Sequence, residues 1–315
     1  MFAVDIGGSK ILAAAATSGR PELDVVLERP TRPSTLPGDV RRLLEGLVRE
    51  CGREPEVIGV ASVGPLDYSR LEIVGAPNLG GGRISLVGAF DNLGAPVIVA
   101  NDAVAALWGE VVFGKARGLR DAVMIVLGTG VGGAALVDGR LVLGRRGGAH
   151  EVGHIVIDYS SKWKCGCGGI GHWEALAGAR WLPRLIESLT GGRVRYETPS
   201  EAVDWLRRGL ASGDREARLV LRELARVNAA GIASIIAVYD PEAVFLAGGL
   251  FEAIGDWLLP EIARFITDYS IYEPPRIEAA SFGRLQALYG AYAIAYRTPS
   301  EILALNTHRL APRGV

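Results

Sequence analysis

The chain has 315 residues, 49% hydrophobic and 22% charged, with a formal net charge of −1. That balance describes a globular protein long enough for two domains; it argues against a disordered chain or a generic polyanion binder, because the paired arginines (Arg41-Arg42, Arg145-Arg146, Arg207-Arg208) are isolated. No apolar stretch approaches the roughly 20 residues of a membrane span, and an N-terminus with Asp5 and no basic leader is not a secretory signal. Neither a nucleic-acid nor a membrane partner is expected. Three cysteines, one of them (Cys51) remote from the others, fit a reducing cytoplasm. Scarce Gln, Cys and Met hint at a thermophile, although base composition could give the same bias.

Residues 2–6 (Phe-Ala-Val-Asp-Ile) predict a buried strand running into Gly7-Gly8-Ser9-Lys10, and 11–17 predict a second strand. Such a hairpin can bring backbone N–H groups and a hydroxyl close to a phosphate, and it can equally be a plain turn. Val57 to Ser62 reads as a strand leading into Val63-Gly64-Pro65-Leu66-Asp67. After Ala76-Pro77-Asn78-Leu79, residues 96–100 form another strand ending at Asn101-Asp102. From Ala103 the apolar spacing turns helical (Ala103, Ala106, Leu107, Val111), so Asp102 sits where a strand hands over to a helix. Local sequence favours Asp102 as the helix N-cap, which does not exclude a second role.

Residues 122–127 repeat the opening arrangement, running into Gly128-Thr129-Gly130-Val131-Gly132-Gly133 before a second strand at 134–137. Two copies of a strand–Gly turn–strand unit predict two related α/β domains, each offering one hairpin to a shared cleft. Further on, the apolar face of a helix spans about Glu216 to Tyr239. Val244 to Ala247 predicts a buried strand entering Gly248-Gly249, and Arg276 to Phe282 a last strand. A helix follows from Leu285 to about Tyr296, then an amphipathic tail from Pro299 to Leu310 without a readable motif.

The stretch from Gly148 to Glu174 holds two of the three cysteines and three of the four histidines. His154, Cys165, Cys167 and His172 supply two thiolates and two imidazoles on short loops, the donor set of a closed, structural Zn²⁺ site. Glycines at 166, 168, 169 and 171 suit a chain folding tightly round an ion. Glu151 and Glu174 stand beside these ligands, and glutamates held by a metal knot can accept hydrogen bonds from the hydroxyls of a polyhydroxylated ligand.

Gly-x-x-x-Glu-x-Gly-His followed by Cys-x-Cys-Gly-x-x-Gly-x-x-Glu resembles the ROK family of sugar kinases and repressors, and the resemblance covers nearly the whole chain. It implies two ribonuclease-H-like (actin/hexokinase-type) α/β domains facing a central cleft. The expected boundaries are a small domain, 1–107 with 285–315 packing back on it, and a large domain, 108–284, containing the zinc loop. Asp-Ile-Gly-Gly-Ser-Lys resembles the first phosphate motif of that superfamily: Asp5 would help hold the Mg²⁺ of MgATP, and Gly7, Gly8, Ser9 and Lys10 would line the phosphates. Gly128, Thr129, Gly130 and Gly132 match the second phosphate motif, with Thr129 donating to the terminal phosphate. Gly248 and Gly249 match the adenosine contact.

By the same resemblance, Asp102 is the catalytic base, and Gly64, Asn78, Asn101, Asp102, Glu151, His154 and Glu174 bind the sugar. His154 would serve both zinc and sugar. Family members usually carry a third Cys where this chain has His172. The implied activity is ATP-dependent phosphorylation of the 6-hydroxyl of a hexose, glucose first, with a place in glycolysis. Fructose or N-acetylmannosamine would be served by the same motifs, and oligomeric state is left open. A sugar-responsive repressor would share the sugar and zinc motifs but needs a helix-turn-helix ahead of the first strand, which here starts at Phe2.

Overall fold

The computed structural model describes residues 1–76, 79–91, 93–149 and 151–306. The chain divides into two compact units. One comprises Met1–Gly118, Arg140–Ala149 and Leu285–Val315, the other Leu119–Gly139 and His150–Arg284.

The first unit opens with the hairpin β1 (Phe2–Ile6) and β2 (Lys10–Ala16), extended antiparallel by β3 (Leu23–Pro30). Helix α1 (Leu36–Cys51) and strand β4 (Ile58–Ser62) follow. A small antiparallel sheet comes next, made of β5 (Leu66–Asp67), β6 (Glu72–Val74) and β7 (Arg83–Ser85). Then β8 (Val97–Asn101) runs into α2 (Asp102–Phe113). The main sheet has the order β3-β2-β1-β4-β8, with β1, β4 and β8 parallel. Strand β4 is buried along its length and β1 at every position but Asp5, which is why they read as continuous apolar runs. In β3 half-buried and exposed positions alternate, as expected of a strand covered on one face.

The second unit begins with the hairpin β9 (Ala122–Leu127) and β10 (Val131–Val137). Strand β11 (Arg140–Leu141) opens the segment belonging to the first unit. Helices α3 (Trp173–Ala177), α4 (Leu182–Leu189), α5 (Pro199–Ser212) and α6 (Arg215–Tyr239) lead to β12 (Ala243–Ala247), α7 (Gly249–Tyr269) and β13 (Arg276–Ala279). Strands β10, β9, β12 and β13 are neighbours in that order, and β9, β12 and β13 are parallel. An antiparallel hairpin whose first strand continues into a parallel pair thus occurs in both units. The duplication visible in the glycine hairpins is a duplication of topology.

Helices α8 (Gln286–Tyr296) and α9 (Ser300–Leu305) belong to the first unit. Glycines let α8 approach closely: a Cβ on Gly59 would strike the Ala291 carbonyl, and one on Gly290 the Ala105 carbonyl. Buried Tyr292 places its hydroxyl 2.8 and 2.7 Å from the carbonyls of Thr17 and Arg20, and Gln286 donates to Ala106 C=O at 3.0 Å. The division expected at residues 107 and 108 falls inside α2, whose continuous packing against α8 keeps the whole helix in the first unit. Among the described residues no helix is long and apolar enough to cross a membrane.

Candidate active site and metal centre

In a parallel array the strands end at one edge, and ligands gather outside that edge. In the first unit β1, β4 and β8 deliver Asp5, Ser62 and Asn101 there, with Gly7-Gly8, Val63-Gly64 and Asp102 immediately beyond. The Gly7–Ser9 turn closes with Gly7 N–H donating to Lys10 C=O at 3.0 Å. Thr31 clamps it from outside, its hydroxyl donating to Gly7 C=O at 2.8 Å and its N–H to Ser9 C=O at 3.0 Å. Ser9 is left exposed. The Lys10 ammonium lies 3.8 Å from Glu28.

The helix cap is Asn101, not Asp102. Asn101 Oδ1 accepts from Ala103 N–H at 2.9 Å and Val104 N–H at 3.4 Å, which corrects the reading from local sequence. Asp102 is the first helical residue, its Oδ1 2.8 Å from the Ala103 nitrogen. Capping requires the extended backbone that Asn101 has (φ −61°, ψ 147°), and Asp102 has already turned helical. Gly64 lies against Asn101: a Cβ there would sit 3.2 Å from Nδ2. Asn78 lies outside the described residues.

Removal from water, and next the negative charge of Asp102, push the Asp5 carboxyl up to about 7, with Lys10 opposing. Two carboxylates near enough to repel one another form a fitting seat for a hard divalent cation. Since the folded value exceeds the roughly 3.9 of an unfolded aspartate, the folded state holds this proton more tightly than the unfolded chain. The contribution to stability is therefore fullest below that unfolded value and is lost as pH rises through about 7. Asp5→Asn should raise the melting temperature of the cation-free protein at pH 8 and leave it nearly unchanged at pH 4. A parallel pair of pH–melting curves would contradict this.

In the second unit the edge is built from the Gly128–Gly130 and Gly248–Gly249 turns. Gly128 N–H donates to Gly130 C=O at 3.0 Å, and the carbonyls of Gly128 and Thr129 each accept, at 3.0 Å, from the N–H groups of Ala179 and Arg180. The Thr129 side chain is exposed. Gly248 has φ 103°, and a Cβ on it would strike the Leu127 backbone, so this turn requires glycine. A Cβ on Gly128 would lie 4.0 Å from the Gly249 nitrogen, so the two turns adjoin, and Gly249 faces open space. Bare backbone of this kind lets a flat ligand approach closely. Gly132 sits past the turn, in β10, paired with Val126.

His154, Cys165, Cys167 and His172 converge, their ligand atoms all within 4.8 Å of one another. The loop between them is folded by its own backbone. Ile157 N–H donates to Gly171 C=O at 3.0 Å, Cys165 N–H to Gly169 C=O at 2.8 Å and Trp173 N–H to Ile155 C=O at 2.9 Å. Gly171 has φ 69° and would otherwise press a Cβ on the Asp158 carbonyl; a Cβ on Gly169 would enter the His172 ring.

Tetrahedral zinc with Zn–N near 2.05 Å and Zn–S near 2.3 Å separates ligand atoms by roughly 3.3 Å (N to N) and 3.6 Å (S to N). His154 Nδ1 and His172 Nδ1 are 3.3 Å apart, Cys165 Sγ is 3.7 Å from His154 Nδ1, and Cys167 Sγ is 3.3 Å from His172 Nδ1. Donor chemistry and spacing both fit that ion. Burial, and secondarily His154, lower the His172 pKa, which favours the neutral imidazole that a metal requires. Burial raises the Cys165 thiol to about 12, so a cation binding there must displace its proton.

Both histidines direct Nδ1 inward, and His154 Nε2 lies 3.6 Å from Glu151. Glu174, in the first turn of α3, joins this knot to the glycine hairpin: Oε1 is 3.2 Å from Cys165 Sγ, and Oε2 accepts from Val131 N–H at 3.2 Å. The anchor was missed in the sequence. Arg184 on α4 lies over Trp163 of the loop at 4.1 Å and over Trp181 at 4.7 Å, and donates to Ala175 C=O at 2.9 Å. Trp181 and Arg184 stand three positions apart at the start of α4, but Trp163 joins them only in space, so no spacing rule marks the stack.

Residues 1–298 match the model of the ROK family. A glucokinase of Aeropyrum pernix is 41% identical, over 96% of this chain and 98% of its own length. An N-acetylmannosamine kinase of Salmonella arizonae is 31% identical over 93% and 97%. The solved structure of a ROK family glucokinase from Streptomyces griseus, in complex with glucose and AMPPNP, superposes with a TM-score of 0.78 at 29% identity, covering 94% of this chain and 98% of that one. The fold is the actin/hexokinase-like fold of ROK sugar kinases. The chain belongs to the ROK family.

Proposed function

We propose that the protein is an ATP-dependent glucokinase, transferring the γ-phosphoryl group of MgATP to the 6-hydroxyl of glucose. The observation that carries the reading is the placement of Asp102. It directly follows a parallel strand end, close enough to Asp5 for its charge to act on that carboxyl, and it is not consumed as the helix cap. Asp102 accepts the hydroxyl proton while O6 attacks the γ-phosphorus and the bond to the ADP oxygen breaks.

Asp5 would help hold the Mg²⁺ that neutralises phosphate charge. The turns Gly7–Lys10 and Gly128–Gly130 would present backbone N–H groups, with the Ser9 and Thr129 hydroxyls, to the phosphates. Gly248 and Gly249 would lie against the adenosine. Gly64, Asn78, Asn101, Glu151, His154 and Glu174 would hold the remaining sugar hydroxyls. Zn²⁺ on His154, Cys165, Cys167 and His172 would be structural, with all four positions filled from the chain.

Support for glucose comes from the relatives named glucokinase. The N-acetylmannosamine kinase relative keeps a second reading in view. A cytoplasmic setting is supported by free Cys51 and by two further thiols grouped with imidazoles instead of in a disulfide. ADP release measured over a panel of glucose, mannose, fructose and N-acetylmannosamine tests the assignment. Glucose should give the highest kcat/KM; a higher value for N-acetylmannosamine would transfer the assignment to that sugar.

A further inference from the structure

Residues 299–306 lie beyond the stretch matched by the ROK model, yet they are built into the first unit. Helix α9 buries Ile302, sets Leu305 against the core and ends at Asn306, which is only 3% exposed. Strand β8 is the outer strand of its sheet, paired with β4 on one side. An outer strand turns alternate N–H and C=O groups away from its sheet. Those of Val99 belong to a residue only 1% exposed, where an unmet peptide group is costly.

The Asn306 carboxamide meets both. Its Oδ1 accepts from Val99 N–H at 2.8 Å and its Nδ2 donates to Val99 C=O at 2.9 Å. The remaining Nδ2 hydrogen goes to Ile302 C=O at 2.8 Å, which ties the clamp to the end of α9. A primary amide offers an acceptor and a donor at the spacing of a peptide group, so one side chain serves as a one-residue strand. Val99 precedes the cap Asn101 by two residues and Asp102 by three.

We propose that Asn306 is a positioning residue for the base: by closing the outer edge of β8 it fixes the strand end that sets Asp102. The C-terminal segment is then part of the catalytic machinery without touching substrate. The inference rests on the assignment of Asp102 as base, and the test separates the two. Amide hydrogen exchange at Val99 and steady-state kinetics with glucose and MgATP are measured on the full-length, zinc-loaded protein for wild type, Asn306→Ala and Asn306→Gln.

In Asn306→Ala, exchange at Val99 should rise by roughly 5- to 10-fold, the effect of one lost hydrogen bond. Amides of the central strand β1 should keep their protection. The kcat should fall by roughly 10-fold, as small displacements of catalytic groups do, and by more than any rise in sugar KM. Asn306→Gln, which keeps the amide, should recover part of both. Should the Ala variant not fold, Asn306→Ser, whose single short hydroxyl cannot meet Val99 N–H and C=O together, carries the same measurements.

Unchanged Val99 exchange would overturn the clamp. Faster exchange with unchanged kcat would overturn the positioning role. A wild type that protects Val99 but shows no sugar-dependent turnover would overturn the kinase reading and the positioning role with it.

Discussion

Asp102→Ala should lower kcat by roughly 10²–10⁴-fold, the usual contribution of a general base, while apparent sugar affinity changes far less. The argument starts from the backbone. Because Asn101 caps α2 through Ala103 and Val104, deleting the Asp102 carboxylate leaves the cap intact and should cost little stability. Asn101→Ala is the reciprocal experiment: it removes the cap and should cost about 1 kcal/mol, with a smaller loss of kcat. A pair of variants in which Asn101→Ala loses turnover and Asp102→Ala does not would reverse the roles. Steady-state kinetics and urea unfolding on both variants measure the two effects separately.

His172→Ala should lose metal, stability and sugar affinity together. Three of the separations among the four candidate ligand atoms are already near tetrahedral values, so removing one of the four leaves the rest of the loop under-constrained. The consequence reaches further than the ion. Glu174 touches both Cys165 and the hairpin at Val131, and His154 faces Glu151, so the proposed sugar contacts are held by the same knot. Removing even a supporting group from a metal site lowers affinity by about 10–100-fold, and a ligand should cost at least as much. His172→Cys, which restores the usual family residue, should keep zinc and most activity. Elemental analysis giving full zinc in His172→Ala would remove His172 from the ligand set.

The two hairpins and the parallel strands were legible because buried strands leave uninterrupted apolar runs, as at 2–6 and 122–127, broken by glycine where the chain turns. The convergence of the Cys/His cluster was legible for a local reason too: three of its members, Cys165, Cys167 and His172, fall within eight residues on a glycine-rich loop. What failed to show was either backbone geometry or distant contact. Asn101 and Asp102 are both good capping residues, and only their dihedral angles decide between them. A run of four glycines between 128 and 133 conceals where the turn ends, which is why Gly132 was expected in the turn and is found in β10. Thr31 reaches back to the Gly7 turn from the end of β3, and Asn306 reaches Val99 across 207 positions. The tail showed an amphipathic pattern but no motif, because the feature that matters in it is one amide meeting one peptide group.

The most direct test of the account compares glucose with 6-deoxyglucose in the presence of MgATP, following ADP release and identifying the product. Glucose should support turnover and yield glucose 6-phosphate in equal amount to ADP, while 6-deoxyglucose should compete with glucose and support no turnover of its own. ADP release independent of glucose, or phosphorylation of 6-deoxyglucose at another hydroxyl, would contradict it.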